Sequence, residues 1–186
     1  MKYTARIISL SAGLIAVLII ATPSLAQGIQ QNNGEVLEAP AVKKDLYPAN
    51  ANAKEEIAAA LKSAARNRKR VMLVFGGNWC YDCHVLDRAL HEGTAGRIMK
   101  KSFALVHVDI GEADKNLDLA RQYKIPLDKG VPAVAILRSD GQMIYSSGEG
   151  EFEAARSMMK QDLVTFLRRW RPGGPGVLRS AALSEK

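Results

Sequence analysis

The stretch Val71-Met72-Leu73-Val74-Phe75-Gly76-Gly77-Asn78-Trp79-Cys80-Tyr81-Asp82-Cys83-His84 decides how the rest of this chain is read. An apolar run of strand length meets a pair of glycines and passes into a helix that carries two cysteines three positions apart. They are the only 2 cysteines among 186 residues. Placed together where a strand turns into a helix, they are positioned to react with each other.

The spacing has a chemical reason. Two intervening residues let one helical turn bring the sulfurs within bonding distance, so a small disulfide closes and reopens with little movement of the fold. Cys80 falls at or near the helix N-terminus, where unpaired N–H groups and the positive end of the helix dipole stabilise a thiolate. Such a site lowers a cysteine pKa from ~8.5 towards ~7 or below. Cys80 is then the attacking nucleophile, and Cys83, deeper in the first turn, resolves the mixed disulfide. The competing readings are a structural disulfide, a metal clip or two unreactive core thiols. The first is disfavoured because so short a loop removes little unfolded-chain entropy.

The chain begins with Lys2 and Arg6, an apolar run from Ile7 to Ala21, and Thr22-Pro23-Ser24-Leu25-Ala26-Gln27. A charged start, an apolar stretch and small residues at Ser24 and Ala26 form an export signal, with cleavage expected after Ala26. About 15 apolar residues fall short of the ~20 needed to span a membrane. Residues 1–26 are thus read as a signal peptide. Export puts the cysteines in an oxidising compartment, and the expected location is a bacterial periplasm.

The whole chain has a formal net charge of +7. Its basic clusters, Lys62 to Arg70 and Arg168 to Arg171, flank amphipathic helices and carry no interleaved aromatic platform. They read as solvated helix ends, and no nucleic-acid partner is expected. Residues 27–51, rich in Gln, Asn, Gly, Ala and Pro, read as an N-terminal extension, with Leu46 and Tyr47 able to lie against the domain. The domain proper is placed at 52–171 and a flexible tail at 172–186.

Asn52 followed by Glu55 resembles a capping box, and Ile57, Ala60, Leu61 and Ala64 carry a first helix to Asn67. The cysteine helix keeps Val85, Leu86, Ala89 and Leu90 inward and is expected to end at Gly93, with a short helix over 94–100. Phe103 to Ile110 predicts a strand covered on both faces. Leu117 to Tyr123 supplies another helix. Ala133 to Leu137 and Met143 to Ser146, joined through Ser139-Asp140-Gly141, predict a β-hairpin. A last helix is expected over 157–170.

Trp79-Cys80-Tyr81-Asp82-Cys83 after an apolar strand resembles the active site of the thioredoxin superfamily, and Val131-Pro132 before an apolar run resembles its cis-proline loop. The resemblance covers roughly Asn52 to Trp170 and is nearest to secreted bacterial thioredoxin-like proteins. It implies an α/β fold of thioredoxin type, a central mixed sheet flanked by helices on both faces. The implied activity is thiol-disulfide exchange catalysed by Cys80 and Cys83, with Trp79, Val131 and Pro132 contacting substrate. Disulfide-containing proteins are the implied substrates, and a membrane or periplasmic thiol protein the electron donor. No cofactor or metal is required, and a monomer is expected.

Tyr81 and Asp82 occupy the dipeptide that tunes redox potential. A carboxylate at the helix N-terminus competes for the positive field, which disfavours the thiolate and points to a reductase. The chain also departs from the family: the buried acid six residues before the first cysteine is replaced by Val74. His107, on the neighbouring strand, is the candidate to take its place in handling protons.

Two alternatives belong to other classes. Cys80-Tyr81-Asp82-Cys83-His84 matches c-type haem attachment, although the cysteines follow a strand rather than sit in a helical haem fold. Cys80, Cys83, His84 and His91 have spacings that suit a copper carrier, although His84 reads equally well as a solvated residue. If His107 serves the resolving thiol, His107→Ala slows release from a mixed disulfide far more than it slows the initial attack. Equal slowing of both steps in stopped-flow kinetics removes that role.

Overall fold

Strand β1 (Arg70–Gly76) is buried along its whole length, and its alternating side chains divide the interior in two. The computed structural model describes residues 35–38, 40 and 45–176, all within the compact unit Asn33–Lys186. The expected signal peptide, part of the N-terminal extension and residues 177–186 of the tail lie outside the described residues. Met72 and Val74 face one way, onto Val85, Leu86, Leu90, Leu163 and Leu167. Val71, Leu73 and Phe75 face the other way, onto Ile57, Ala64, Leu119 and Tyr123. This is the period-2 geometry of a strand covered on both sides.

The elements follow as α1 (Ala53–Asn67), β1, α2 (Tyr81–His91), α3 (Gly93–Ser102), β2 (Phe103–Asp109), α4 (Leu117–Gln122), β3 (Ala133–Leu137), β4 (Met143–Ser146) and α5 (Lys160–Trp170). The sheet order is β2-β1-β3-β4. β1 and β2 run parallel, joined by the crossover through α2 and α3. β3 returns antiparallel to β1, and β4 pairs antiparallel with β3. This is the mixed four-stranded sheet, helices on both faces, of the thioredoxin fold.

Local signals account for several boundaries. Asn52 Oδ1 accepts the Glu55 N–H at 3.4 Å and opens α1. Arg70, 7% exposed, donates to the carbonyl of Trp170, which sets a cation against the negative end of α5.

Three expectations need correction. Gly93 does not close the cysteine helix: α2 stops at His91, Glu92 is extended, and Gly93 at φ 55° opens α3. The last helix starts at Lys160, because residues 155–157 form a separate 3-10 turn and Met159 is extended, bridging to Val36. β2 is not covered throughout, since it lies at the sheet edge and Ala104, Leu105, His107 and Asp109 are only half-buried.

Part of the N-terminal extension is docked on the domain. The Leu37 N–H donates to Met158 O at 2.9 Å and the Lys160 N–H to Glu35 O at 2.7 Å, and Leu37 joins the core. At the other end, the Gly174 N–H donates to Arg171 O at 2.9 Å, turning the chain back after α5.

Candidate active site

Cys80 is the N-cap of α2. Its backbone is extended, and its sulfur accepts the Cys83 N–H at 3.1 Å. A sulfur at this position lies on the outward-pointing donors of the first turn, the place where a helix best tolerates negative charge. Cys80 and Cys83 are joined in a disulfide with Cα atoms 5.3 Å apart. Cys83 is 1% exposed and Cys80 4%, so the small opening to solvent lies mainly on the Cys80 side.

The loop before β3 closes over the same sulfur. The Val131–Pro132 peptide bond is cis, and the Val131 carbonyl oxygen lies 3.5 Å from Cys80 Sγ. Trp79 is 51% exposed beside the pair, anchored by Nε1 donating to Gly111 O at 2.8 Å. Next to it is a groove of about 350 Å³, whose lining includes Tyr47, Trp79, Glu112 and Lys115.

Asp82 is not the lone carboxylate that its place in the sequence implies. It is 5% exposed and bound by Arg156, whose backbone N donates to Oδ1 at 2.8 Å and whose Nε lies 3.1 Å from both oxygens. A further Arg156 nitrogen donates to Oδ2. The guanidinium also lies 5.1 Å from the centre of the Tyr81 ring, so one arginine holds both residues between the cysteines. Paired in this way, Asp82 takes much less of the helix field from Cys80 than an uncompensated charge would.

His84 is likewise not solvated. It is 3% exposed and its Nε2–H donates to the Asn78 carbonyl at 3.0 Å. His91 Nδ1 lies 2.7 Å from the Asp87 carbonyl oxygen. One of these nitrogens is engaged by the loop before α2 and the other by α2 itself, and the sulfurs are bonded to each other. Among the described residues, no group of three His, Cys, Asp or Glu is arranged to hold a metal ion. Neither the copper set nor haem attachment gains a ligand from this geometry.

Val74, which stands where the family keeps its acid, pairs in register with His107. A buried acid is nevertheless present, on α2. Asp87 is 5% exposed and its Oδ1 lies 3.3 Å from both His107 Nε2 and His91 Nδ1. Burial pushes its carboxyl up, but the neighbouring His107 and His91 imidazoles outweigh that and hold it well below the usual carboxylate range. The contact reaches ion-pair distance without the alignment of a good hydrogen bond at His107 Nε2.

Sequence reasoning expected Leu46 and Tyr47 to lie against the domain but gave Tyr47 no part in the chemistry. Its ring packs against Cys80 and Cys83 and meets His107 edge-on at 5.2 Å. Asn78 holds it there: Asn78 Oδ1 accepts the N–H groups of Leu46 (2.9 Å) and Tyr47 (3.1 Å), while Nδ2 donates to Asp45 Oδ1 (2.7 Å) and the Tyr47 carbonyl (2.9 Å). Asn78 follows the glycine pair and precedes Trp79, so the extension is tied directly to the cysteine loop.

A family model described as Thioredoxin-like matches residues 52–139. A solved disulphide isomerase from Xylella fastidiosa Temecula1 is 36% identical, with 71% of this chain and 96% of that one covered and a TM-score of 0.62. This chain belongs to the thioredoxin superfamily. It is a thioredoxin-like thiol-disulfide oxidoreductase. Weaker likeness extends to the oxidised C-terminal domain of DsbD from Neisseria meningitidis (19% identity, 65% of this chain, 97% of that one, TM-score 0.48). A thioredoxin from Thermus thermophilus is similar at 21% identity, covering 68% and 86%, with a TM-score of 0.45. Curated protein sequences give no significant match.

The Asp82–Arg156 pairing yields a test specific to this member of the superfamily. Arg156→Ala leaves Asp82 uncompensated beside the helix N-terminus. The Cys80 thiolate fraction at neutral pH, followed by ultraviolet absorbance of the reduced protein, should fall roughly two- to fivefold, as a rise of about one pKa unit gives for a thiol already largely ionised there. Adding Asp82→Asn should restore it. A double variant as depleted in thiolate as Arg156→Ala alone would show that the arginine acts through shape rather than charge.

Proposed function

We propose that this protein is a periplasmic oxidoreductase whose Cys80–Cys83 pair exchanges with disulfides of other proteins, working in the cell as a reductase. The observation that carries this reading is the cysteine pair at the N-terminus of α2, with Cys80 Sγ 3.5 Å from the Val131 carbonyl. An extended substrate crossing there finds backbone hydrogen-bonding groups beside the sulfur it must reach.

In the reducing direction the Cys80 thiolate attacks one sulfur of a substrate disulfide, releasing the other as a thiolate and forming a mixed disulfide. Cys83 then displaces the substrate from Cys80, regenerating the intramolecular bond, and the substrate leaves with both sulfurs reduced. Trp79 offers an exposed apolar surface next to the mixed disulfide, and Val131 supplies the backbone contact. A second thiol protein at the membrane or in the periplasm returns two electrons to restore the dithiol.

The direction rests on charge. A strongly oxidising pair needs a thiolate held far below its ordinary pKa by concentrated positive charge. Here Arg156 balances Asp82, so the two residues between the cysteines add no net positive field beyond the helix itself. Export is supported by the Lys2, Arg6 and Ile7–Ala26 pattern, and among the described residues no helix is long and apolar enough to cross a membrane.

Equilibration with a glutathione redox buffer measures the direction. A potential near about −270 mV, the thioredoxin value, is expected. A value near about −120 mV, that of the oxidant DsbA, would reverse the assigned direction.

A further inference from the structure

Tyr47 is 3% exposed, and its hydroxyl has no hydrogen-bond partner among the described residues. Leaving such a group unpaired is unfavourable, and a phenylalanine would fill the same space without that cost. The hydroxyl is therefore the feature that needs a function.

Its position supplies one. A Cβ added to Gly76 would meet both Cys83 Sγ and Tyr47 Oη at 2.5 Å, so the two atoms are neighbours around the last residue of β1. In the disulfide, Cys83 sulfur is a poor acceptor. Once the bond opens, the same sulfur carries a thiol or thiolate and becomes a good one.

We propose that Tyr47 is a catalytic residue: its phenol O–H donates a hydrogen bond to the Cys83 sulfur whenever the Cys80–Cys83 bond is open, stabilising the thiolate that resolves the mixed disulfide. The proposal rests on the oxidoreductase reading and extends it to the second chemical step. The phenol stays a donor throughout. Burial pushes its pKa up, and the negative charges of Asp87 and Asp109 push it further in the same direction.

The step balances as follows. In the mixed disulfide Cys83 is a thiol, and its proton passes to water. The Cys83 sulfur bonds to Cys80 sulfur, the bond from Cys80 to the substrate sulfur breaks, and the substrate thiolate takes up a proton as it leaves. Two electrons pass from the dithiol to the substrate disulfide, and Tyr47 keeps its own proton. The groups facing the phenol are Asp87 from α2, His107 and Asp109 from β2, and the cysteines themselves.

The residue lies outside the 52–139 segment matched by the family model. It reaches the sulfur only because Asn78 grips residues 45–47 through both atoms of its amide. A tyrosine that merely filled space would need neither its hydroxyl nor that placement.

Tyr47→Phe in the full chain keeps the ring and removes the donor. Stopped-flow kinetics with a peptide disulfide should show formation of the mixed disulfide at the parent rate and its resolution slowed roughly tenfold. Equilibration with glutathione should shift about tenfold towards the disulfide, a potential about 30 mV more negative. Asn78→Ala, which frees the segment, should show the same selective loss. Parent-like resolution and potential in Tyr47→Phe would overturn the role of the phenol while leaving the oxidoreductase intact. Failure of the parent itself to form a mixed disulfide through Cys80 would overturn both.

Discussion

Everything at this site depends on one contact, the backbone N–H of Cys83 pointing at the sulfur of Cys80. It exists because β1 ends at Gly76, the chain turns through Gly77-Asn78-Trp79, and α2 begins just after Cys80. A helix leaves its first N–H groups without partners, and here a sulfur caps them instead of an oxygen. The strand that delivers the chain to this point is itself fixed by burial on both faces. Packing energy spent in the core thus becomes a defined electrostatic environment at one atom.

Around that contact the chain has arranged charges from distant segments. Arg156, in the 3-10 turn before α5, offsets Asp82 and covers Tyr81. Asp87 and His107 face each other, on the helix and the edge strand respectively. The buried acid thus lies on α2, while Val74 fills the strand position. The local charges are therefore one balanced pair between the cysteines and one acid–imidazole contact between α2 and β2.

The sequence carried the sheet and the redox pair clearly, because both are written in local patterns. Continuous apolar residues marked β1, the Asp140-Gly141 turn marked the β3–β4 hairpin, and the two-residue spacing marked the cysteines. What was hidden depends on contacts between residues far apart in sequence. Asp82 looks like an exposed competitor of the thiolate until Arg156, 74 residues later, is seen against it. Tyr47 could be read as a residue docking on the domain, but its place beside the cysteines shows only once Asn78 is seen gripping its backbone. Asp87 carried one readable hint, its i,i+4 relation to Cys83, but His107 as its partner follows only from the packing of α2 over β2. Gly93 misled because a glycine after a helix is usually a stop, whereas here the positive φ starts the next helix.

The central claim is that the end of α2 makes Cys80, and not Cys83, a thiolate at neutral pH. Alkylation of the fully reduced protein across a pH series, with each modified cysteine identified by mass spectrometry, measures it directly. The account predicts that Cys80 reacts well below the pH at which free cysteine does, while Cys83 stays unmodified. Equal reaction of both cysteines, following the pH profile of free cysteine, would contradict it.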